Sequence, residues 1–462
     1  MSNLIPPHIF RAYDIRGIYN QDINTKIMHE IGIAFGTYVK TVLSGTDVVV
    51  GNDIRYSSPP LAFAFIAGVT ASGVNVHYTG TSSFGQTLFA CWMTKKNACA
   101  FITASHLPAE WNGIKFYHSD GVGFSEEELI EIKKIVLNQA YTLVSGKELG
   151  EIKELDITSK YADFFKEKFH FTKKIKVALD CGGGSTTLSA PSVFEKVGLE
   201  IIPIFCEPDP AFSGRPSDPK PKNLQKLIET VKTKQCHFGV AFDGDGDRAV
   251  IVDDTGRVLS ADETGIIIGK YGLKTSNGTI IANVECSKVV KEQLEQIGFK
   301  IKQIPVGHTF LTIEAKQEQA PLGIESSGHI IITEYFLFDD AIIVPLKIAE
   351  ILNNKKCLLS ALLAEIPTLP RYKEEVECDE SIKFLVIDYL KQKFSEEYAN
   401  ITTLDGIRID LQNGWVLIRA SNTSPIIRLT VEGDNEKAVQ EMVTKFITEI
   451  KSAQATIKNI KK

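Results

Sequence analysis

Short apolar runs, each followed by a polar or glycine-rich loop and then a stretch with apolar positions three and four apart, recur along the chain. The unit is seen three times. VVVGNDIR (48–55) leads through a helix-compatible stretch to GVNVHYTG (73–80), and VALDCGGGS (177–185) leads in the same way to GLEIIPIF (198–205). IIANVECS (280–287) leads through a helical stretch ending at Leu294 to GFKIKQIPVG (298–307). Each reads as strand, loop, amphipathic helix, glycine stop and second strand. Gly73, Gly198 and Gly298 stand where a helix end needs a left-handed residue. Three such units in series predict three α/β layers of similar build, although residue identity between the copies is slight. The pattern then changes to a helix over 381–394, alternation in DGIRIDLQNGWVLIRAS, the strand IIRLTVEG and a helix from Glu436, which predicts a small α+β domain. The expected fold is therefore α/β domains with mixed sheets over 1–150, 151–253 and 254–367, followed by an α+β domain over 368–462. Linkers are expected near Gly146–Gly150, Asp253–Gly256 and Pro367–Pro370.

Composition narrows the class. A chain of 462 residues is too long for one core, and 44% hydrophobic with 23% charged residues is ordinary for a globular protein. No apolar run reaches 18 residues and MSNLIPPHIF has no signal-peptide pattern, so a cytoplasmic location without membrane partners is expected. The eight cysteines include no CxxC pair and no zinc spacing, and read as buried reduced thiols. A net charge of −6 argues against nucleic acid as the main partner. A small anionic substrate remains open, because it needs local cations and backbone amides rather than global charge.

Candidate chemistry gathers in a few loops. AFITASHLPAEWNGIKFY (100–117) is an apolar strand running into a turn that carries Ser105 at the strand end, where reactive groups collect in α/β domains. Thr103, Ser105 and His106 also suit an ordinary capped turn, and no G-x-S-x-G elbow is present. HFGVAFDGDGDRAVIVDD (237–254) alternates Asp243, Asp245 and Asp247 with glycines, so that three carboxylates can converge on one hard cation if the loop curls. The EF-hand pattern fails, since Arg248 and Asp254 stand where Gly and Glu are required. Magnesium is the expected ion, because few protein ligands leave room for phosphate oxygens, and Arg248 can make a bidentate phosphate contact. LGIESSGHIII (322–332) offers Glu325, Ser327 and His329, a mixture suited to sugar hydroxyls and equally to a plain turn. WVLIRASNTSPIIRL (415–429) surrounds a tight turn with Arg419, Ser421, Asn422, Thr423, Ser424 and Arg428, which reads as a phosphate cradle. FRAYDIRG (10–17) and VGHTF (306–310) add Tyr13, Arg16 and His308 in turns that default to structural roles. GGGS (182–185) does not complete G-x-G-x-x-G.

Taken in order, FRAYDIRG, TASHLP, DGDGDR, GHTF, ESSGH and RASNTSP resemble the α-D-phosphohexomutase superfamily, and closely its phosphomannomutase/phosphoglucomutase branch, over nearly the whole chain. The resemblance implies four domains around a central cleft and a phosphotransferase moving phosphate within one hexose through a hexose 1,6-bisphosphate. It implies that Ser105 is the phosphoserine, making the chain a phosphoprotein, and that Asp243, Asp245 and Asp247 hold Mg²⁺ together with Ser105. Lys115 and Arg248 would lie beside the transferring group, Gly307 and His308 against the sugar, and Glu325 and Ser327 on its hydroxyls. His329 would lie near the reaction, Tyr13 and Arg16 in the cleft, and Arg419, Ser421, Asn422 and Thr423 on the phosphate that is not transferred. Lys115, His308 and His329 are the candidate general bases. The expected partner is a phosphosugar, with the chain a monomer or weak homo-oligomer. Asn283-Val284-Glu285-Cys286 departs from the family, where many relatives have Lys at the third position; Lys288 is the candidate compensating cation. A phosphoglucosamine mutase is the alternative in the same superfamily, although its opening more often reads F-G-T-D-G-I-R-G. A non-catalytic phosphosugar-binding protein is the alternative outside enzymes.

Overall fold

The computed structural model describes residues 5–421 and 425–460. Four sheets follow one another along the chain. In the first, Asp47–Asn52 lies between Asn75–Thr81 and Ala98–Ile102, parallel to both, and Trp111–His118 runs antiparallel beside Ala98–Ile102. The second repeats this order with Lys176–Asp180 between Glu200–Ile204 and Phe238–Phe242, and Ala249–Asp253 antiparallel at the edge. The third repeats it again with Gly278–Asn283 between Phe299–Ile304 and Leu322–Ile324, and Ile330–Ile332 at the edge. The three mixed sheets thus share one strand order, and the repeat visible in the hydrophobic pattern is a repeat of topology. Gly73, Gly198 and Gly298 take φ of 83°, 92° and 104°, as the helix stops require.

The first sheet carries two additional strands, Ile15–Ile18 beside Trp111–His118 and Ile152–Glu154 beside Asn75–Thr81. The latter lies just past the expected boundary at residue 150. The helix Ser58–Ala71 of the first repeat is apolar on nearly every side rather than amphipathic, and leaves Phe63 exposed. The fourth sheet is antiparallel throughout, in the order Arg371–Glu377, Ile426–Gly433, Gly414–Ala420, Ile407–Leu411, Ile401–Thr402. Two helices, Lys383–Glu397 and Glu436–Ile460, close its core. Among the described residues no helix is long and apolar enough to cross a membrane.

The cores are unequal. A single apolar cluster runs through the first three sheets, joining Val49, Phe84 and Phe101 to Val177 and Phe242 and on to Ile280 and Ile324. The last sheet keeps its own cluster around Ile407, Val416, Leu429 and Phe446. It meets the third through a small patch of Val284, Val306, Trp415 and Leu417.

Candidate active site

The shared strand order explains where the chemistry sits. In each of the first three sheets the connection from the third parallel strand to the antiparallel edge strand points to one end of the sheet. Those connections are residues 103–110, 243–248 and 325–329, the loops that carry Ser105, the aspartates and the Glu-Ser-His group. In the last sheet the candidate phosphate segment follows Gly414–Ala420. Ser421 is buried there and its N–H donates to the Ile426 carbonyl, while Asn422 and Thr423 lie outside the described residues.

Ser105 sits at φ 51° with its side chain almost fully enclosed. Its hydroxyl lies 3.1 Å from Asp243 Oδ2 and 3.3 Å from His106 Nδ1, and its N–H donates to Thr103 Oγ1 at 2.8 Å. The metal loop curls so that ligand atoms of Asp243, Asp245 and Asp247 fall within 4.8 Å of one another, all buried. Asp243 Oδ1 accepts from the N–H groups of Gly246 and Arg248, at 3.1 and 3.2 Å. The glycine-rich 182–185 segment braces this loop, since Ser185 N–H donates to the Gly244 carbonyl at 2.9 Å. A side chain at Gly244 would meet the Ser105 carbonyl at 2.6 Å, so the Ser105 and aspartate loops approach closer than any other residue type permits.

The carboxylates fit a divalent cation on two counts. Asp245 Oδ1 and Asp247 Oδ1 are buried with no hydrogen-bond partner among the described residues, a costly arrangement for a carboxylate unless another positive group faces it. Burial, and then the neighbouring carboxylates, push the Asp243 and Asp245 acids up from their ordinary range. A bound cation reverses that logic.

Cations surround the trio. Lys115 comes from the edge strand Trp111–His118 and bridges Asp245, at 3.2 Å, and Asp247. Burial opposes its charge, but the two aspartates outweigh burial and raise its pKa. Arg248 Nε reaches Asp243 Oδ2 at 3.1 Å, and a second nitrogen donates to the Ser327 carbonyl at 3.3 Å, tying the aspartate loop to the Glu325–His329 loop. Arg16 pairs with Asp14 at 2.7 Å.

The third-sheet loops form the opposite wall. Glu325 is buried; one oxygen accepts from Ser327 Oγ at 2.6 Å and the other from Gly307 N–H at 3.0 Å. His308 opens the helix His308–Gln317, with Nδ1 3.2 Å from Tyr117 Oη and its ring edge-on to Tyr13 at 5.4 Å. Burial, reinforced by Lys115, holds the His308 pKa far below its ordinary value. His329 stacks on His308 at 5.3 Å and contrasts with it. Burial disfavours its charge, but Asp247 and Asp339 prevail and bring it to about 9. Burial raises the Tyr13 hydroxyl. Arg419 pairs with Asp405 at 3.1 Å.

Two outcomes differ from expectation. Lys288 does not compensate Glu285: its Nζ lies 2.5 Å from Asp434, and Lys373 sits 2.5 Å from Glu285 instead. Burial works against the Glu285 charge, yet Lys373 holds its carboxyl below the usual range. Asp339, bonded to His329 Nδ1, escaped sequence reading altogether. Its only signal is a polar Asp pair inside the apolar run YFLFDDAII.

Comparison with known proteins covers the whole chain. The four domains described as phosphoglucomutase/phosphomannomutase alpha/beta/alpha domains I, II and III and C-terminal domain match residues 7–142, 159–256, 260–369 and 375–449. A phosphomannomutase/phosphoglucomutase of Pseudomonas putida is 33% identical over 451 residues, 96% of each chain. A probable phosphoglucosamine mutase of Methanopyrus kandleri is 32% identical over 95% of this chain and 96% of its own. The crystal structure of a phosphoglucomutase/phosphomannomutase family protein from Burkholderia thailandensis superposes with a TM-score of 0.89 at 27% identity, covering 97% of this chain and 98% of that one.

Proposed function

The chain belongs to the phosphoglucomutase/phosphomannomutase family, and from that premise we propose that it interconverts hexose 6-phosphate and hexose 1-phosphate through a phosphorylated Ser105. The observation that carries this reading is the meeting of a buried serine hydroxyl with Asp243 at 3.1 Å, inside a ring formed by Asp245, Asp247, Lys115 and Arg248. A hydrolase nucleophile needs a general base at its oxygen. Here His106 Nδ1 also lies 3.3 Å from that oxygen, but the groups that dominate around it are carboxylates and fixed cations, an arrangement suited to holding and releasing a phosphoryl group.

Asp243, Asp245, Asp247 and Ser105 would hold Mg²⁺. When bound, the ion supplies positive charge to phosphoryl oxygens and offsets the three carboxylates. The remaining work falls to the protein. Glu325 and Ser327 orient the sugar hydroxyls, while Arg419 and the turn at Ser421 hold the phosphate that stays. The sugar hydroxyl attacks the phosphorus of phospho-Ser105, its proton leaves to a base, and the serine oxygen departs to give the hexose 1,6-bisphosphate. The bisphosphate turns within the cleft; its other phosphoryl then passes to Ser105, and the proton returns to the freed sugar oxygen. Of the three candidate bases, Lys115 and His329 are held cationic and stabilise charge on the phosphoryl group, whereas burial and Lys115 lower the His308 pKa, which keeps it neutral but also weakens it as a base. A cytoplasmic setting and activation by a trace of hexose 1,6-bisphosphate belong to the same reading.

The test is a coupled assay with Mg²⁺ and a trace of glucose 1,6-bisphosphate, comparing mannose 1-phosphate, glucose 1-phosphate and glucosamine 1-phosphate. Turnover of the first two, lost by on the order of 10⁴-fold or more in Ser105→Ala, is expected. Preference for glucosamine 1-phosphate would establish the second reading, which the near-equal likeness to the Methanopyrus kandleri protein favours. Absence of turnover on all three, or turnover that Ser105→Ala retains in full, would sink both.

A further inference from the structure

The NDIR segment that ends the first strand of the first repeat has no part in the chemistry above, yet its arginine is the most thoroughly bonded side chain near Ser105. Arg55 has no exposed surface. Its Nε donates to Asp53 Oδ2 at 2.9 Å. One terminal nitrogen donates to the carbonyls of Pro108 at 2.5 Å and Trp111 at 3.3 Å, and the other to those of Ser105 and Leu107, both at 2.7 Å. A guanidinium has five N–H groups in a fixed planar fork, and here five acceptors meet them. Four are carbonyls of the 105–111 segment; Pro108 also receives the Trp111 N–H and Leu107 the Ser217 hydroxyl, so the guanidinium joins a network that folds this segment. The Phe212 ring, from the second domain, lies 5.1 Å from the guanidinium carbon.

Asp53 completes the brace. Oδ1 accepts from the Arg55 N–H and from Ser58 Oγ, and Oδ2 accepts from Arg55 Nε. Thr103 Oγ1 lies 2.9 Å from Asp53 Oδ2 and 2.9 Å from Asp245 Oδ2, and it receives the Ser105 N–H. Both backbone polar groups of Ser105 are therefore tied, the N–H through Thr103 to Asp53 and the carbonyl directly to Arg55. Ser105 holds a left-handed backbone that a serine adopts only under constraint. With the backbone fixed, the side-chain oxygen is the one group left to move toward Asp243.

We infer that Arg55, seated on Asp53, is a positioning residue: it sets the geometry from which Ser105 accepts and donates the phosphoryl group, without touching substrate. This rests on the mutase reading. Lysine carries the same charge but three donors at one point, so Arg55→Lys cannot satisfy four carbonyls and Asp53 together.

The experiment is single-turnover transfer from enzyme first phosphorylated by glucose 1,6-bisphosphate, with the rate counted per mole of phosphoserine so that inactive protein does not enter. R55K is expected to transfer on the order of 10²-fold more slowly, because displacement of a reacting atom by about 1 Å costs that much. Its KM should stay within about twofold, since the sugar and phosphate contacts lie on other loops. Its affinity for Mg²⁺ should fall far less than the transfer rate, since three of the four residues that would hold the ion lie on the 243–247 loop. A transfer rate equal to wild type overturns the proposal. So does a slow rate accompanied by equal losses in KM and metal affinity, which marks general collapse. If R55K does not fold, Phe212→Leu takes its place; the expected result is a several-fold slower transfer with KM unchanged, and an unchanged rate overturns the proposal. A wild-type chain that takes up no phosphoryl group sinks the mutase reading and this role with it, whereas normal wild-type transfer matched by R55K sinks this role alone.

Discussion

The two halves of the site are mounted differently. Ser105, the aspartates and the Glu325–His329 loop stand on three sheets that share one apolar cluster. They are stitched across domain borders by Thr103 to Asp245, Lys115 to Asp247 and Arg248 to the Ser327 carbonyl. Arg419 and Ser421 stand on a sheet with a separate core. Its attachment consists of a four-residue apolar patch, Arg408 to the carbonyls of Val284 and Cys286, and ion pairs such as Arg371–Asp262 and Lys373–Glu285. Apolar burial is cooperative and short-ranged, whereas ion pairs at a domain edge contribute little each and re-form easily. Three domains are therefore expected to unfold together as a platform, and the fourth to rotate on its patch. On the proposed mechanism a bisphosphate turns around without being lost, and that would need such an asymmetry: a fixed reaction point opposite a movable grip.

Breaking the platform at its charge centre should have the largest effect. Asp245→Asn keeps the shape that Thr103 and Lys115 pack against but removes a buried negative charge whose Oδ1 has no partner among the described residues. Turnover should fall about 10³-fold, roughly 4 kcal/mol, with loss of the Mg²⁺ response. A full wild-type Mg²⁺ titration curve in D245N would break the assignment.

The next effect tests whether the three domains are one unit. Asp340 lies at their junction: it accepts from Tyr161 Oη at 2.7 Å, and a side chain at Gly85 would reach its carboxyl at 2.4 Å. Burial, chiefly, raises its pKa from 3.8 to about 7. A folded-state pKa above the unfolded one means the proton is held more tightly when folded. Its contribution to stability is complete below about pH 4 and lost as pH rises through about 7, on the order of 4 kcal/mol over the full window. Asp340→Asn should be less stable than wild type at pH 5 and should match or exceed it at pH 8, read from thermal unfolding. The same difference at both values would show that Asp340 does not titrate in this window.

The grip should respond in KM rather than in kcat. Arg419→Ala removes a nearly buried guanidinium, and a charge-assisted contact of about 1.5–3 kcal/mol predicts a KM roughly 10–100-fold higher. Turnover at saturation should stay within about threefold, because the reaction point stands on the other three domains. An equal fall in kcat would mean that the clamp and the platform are one rigid body.

Much of this was legible before folding because it lies in local pattern. Strand-loop-helix periodicity revealed three repeats, and DGDGDR announced a cation loop through spacing alone. What stayed hidden depends on register between distant segments. Asp53 and Arg55 look like a strand end; only the pairing of Asp47–Asn52 with Ala98–Ile102 brings them under a loop 50 residues away. Asp339 meets His329 across a turn whose path the sequence does not specify. The GGGS segment was read for what it failed to bind, and its work as a brace under Gly244 required the second sheet. That the three reactive loops are the same connection in three copies was likewise invisible, since topology repeats where residues do not.

Lys288 gives the smallest expected effect and the sharpest reading of the border between platform and grip. From sequence it was the cation to offset Glu285. In the fold its ammonium meets Asp434, partly exposed on both sides, and its N–H donates to Glu432, so it spans the two bodies instead of facing the cleft. A partly exposed pair of this kind contributes about 0–1 kcal/mol. Lys288→Ala should therefore change KM by less than about twofold, the small remainder coming from looser docking of the last domain. Asp434→Ala should do the same, and the double variant should be no worse than either alone, because both remove one shared contact. If Lys288 instead touches the substrate phosphate, K288A will raise KM tenfold or more and D434A will not. That result would place Glu285 and Lys288 back in the cleft and make the border between the two bodies part of the binding site.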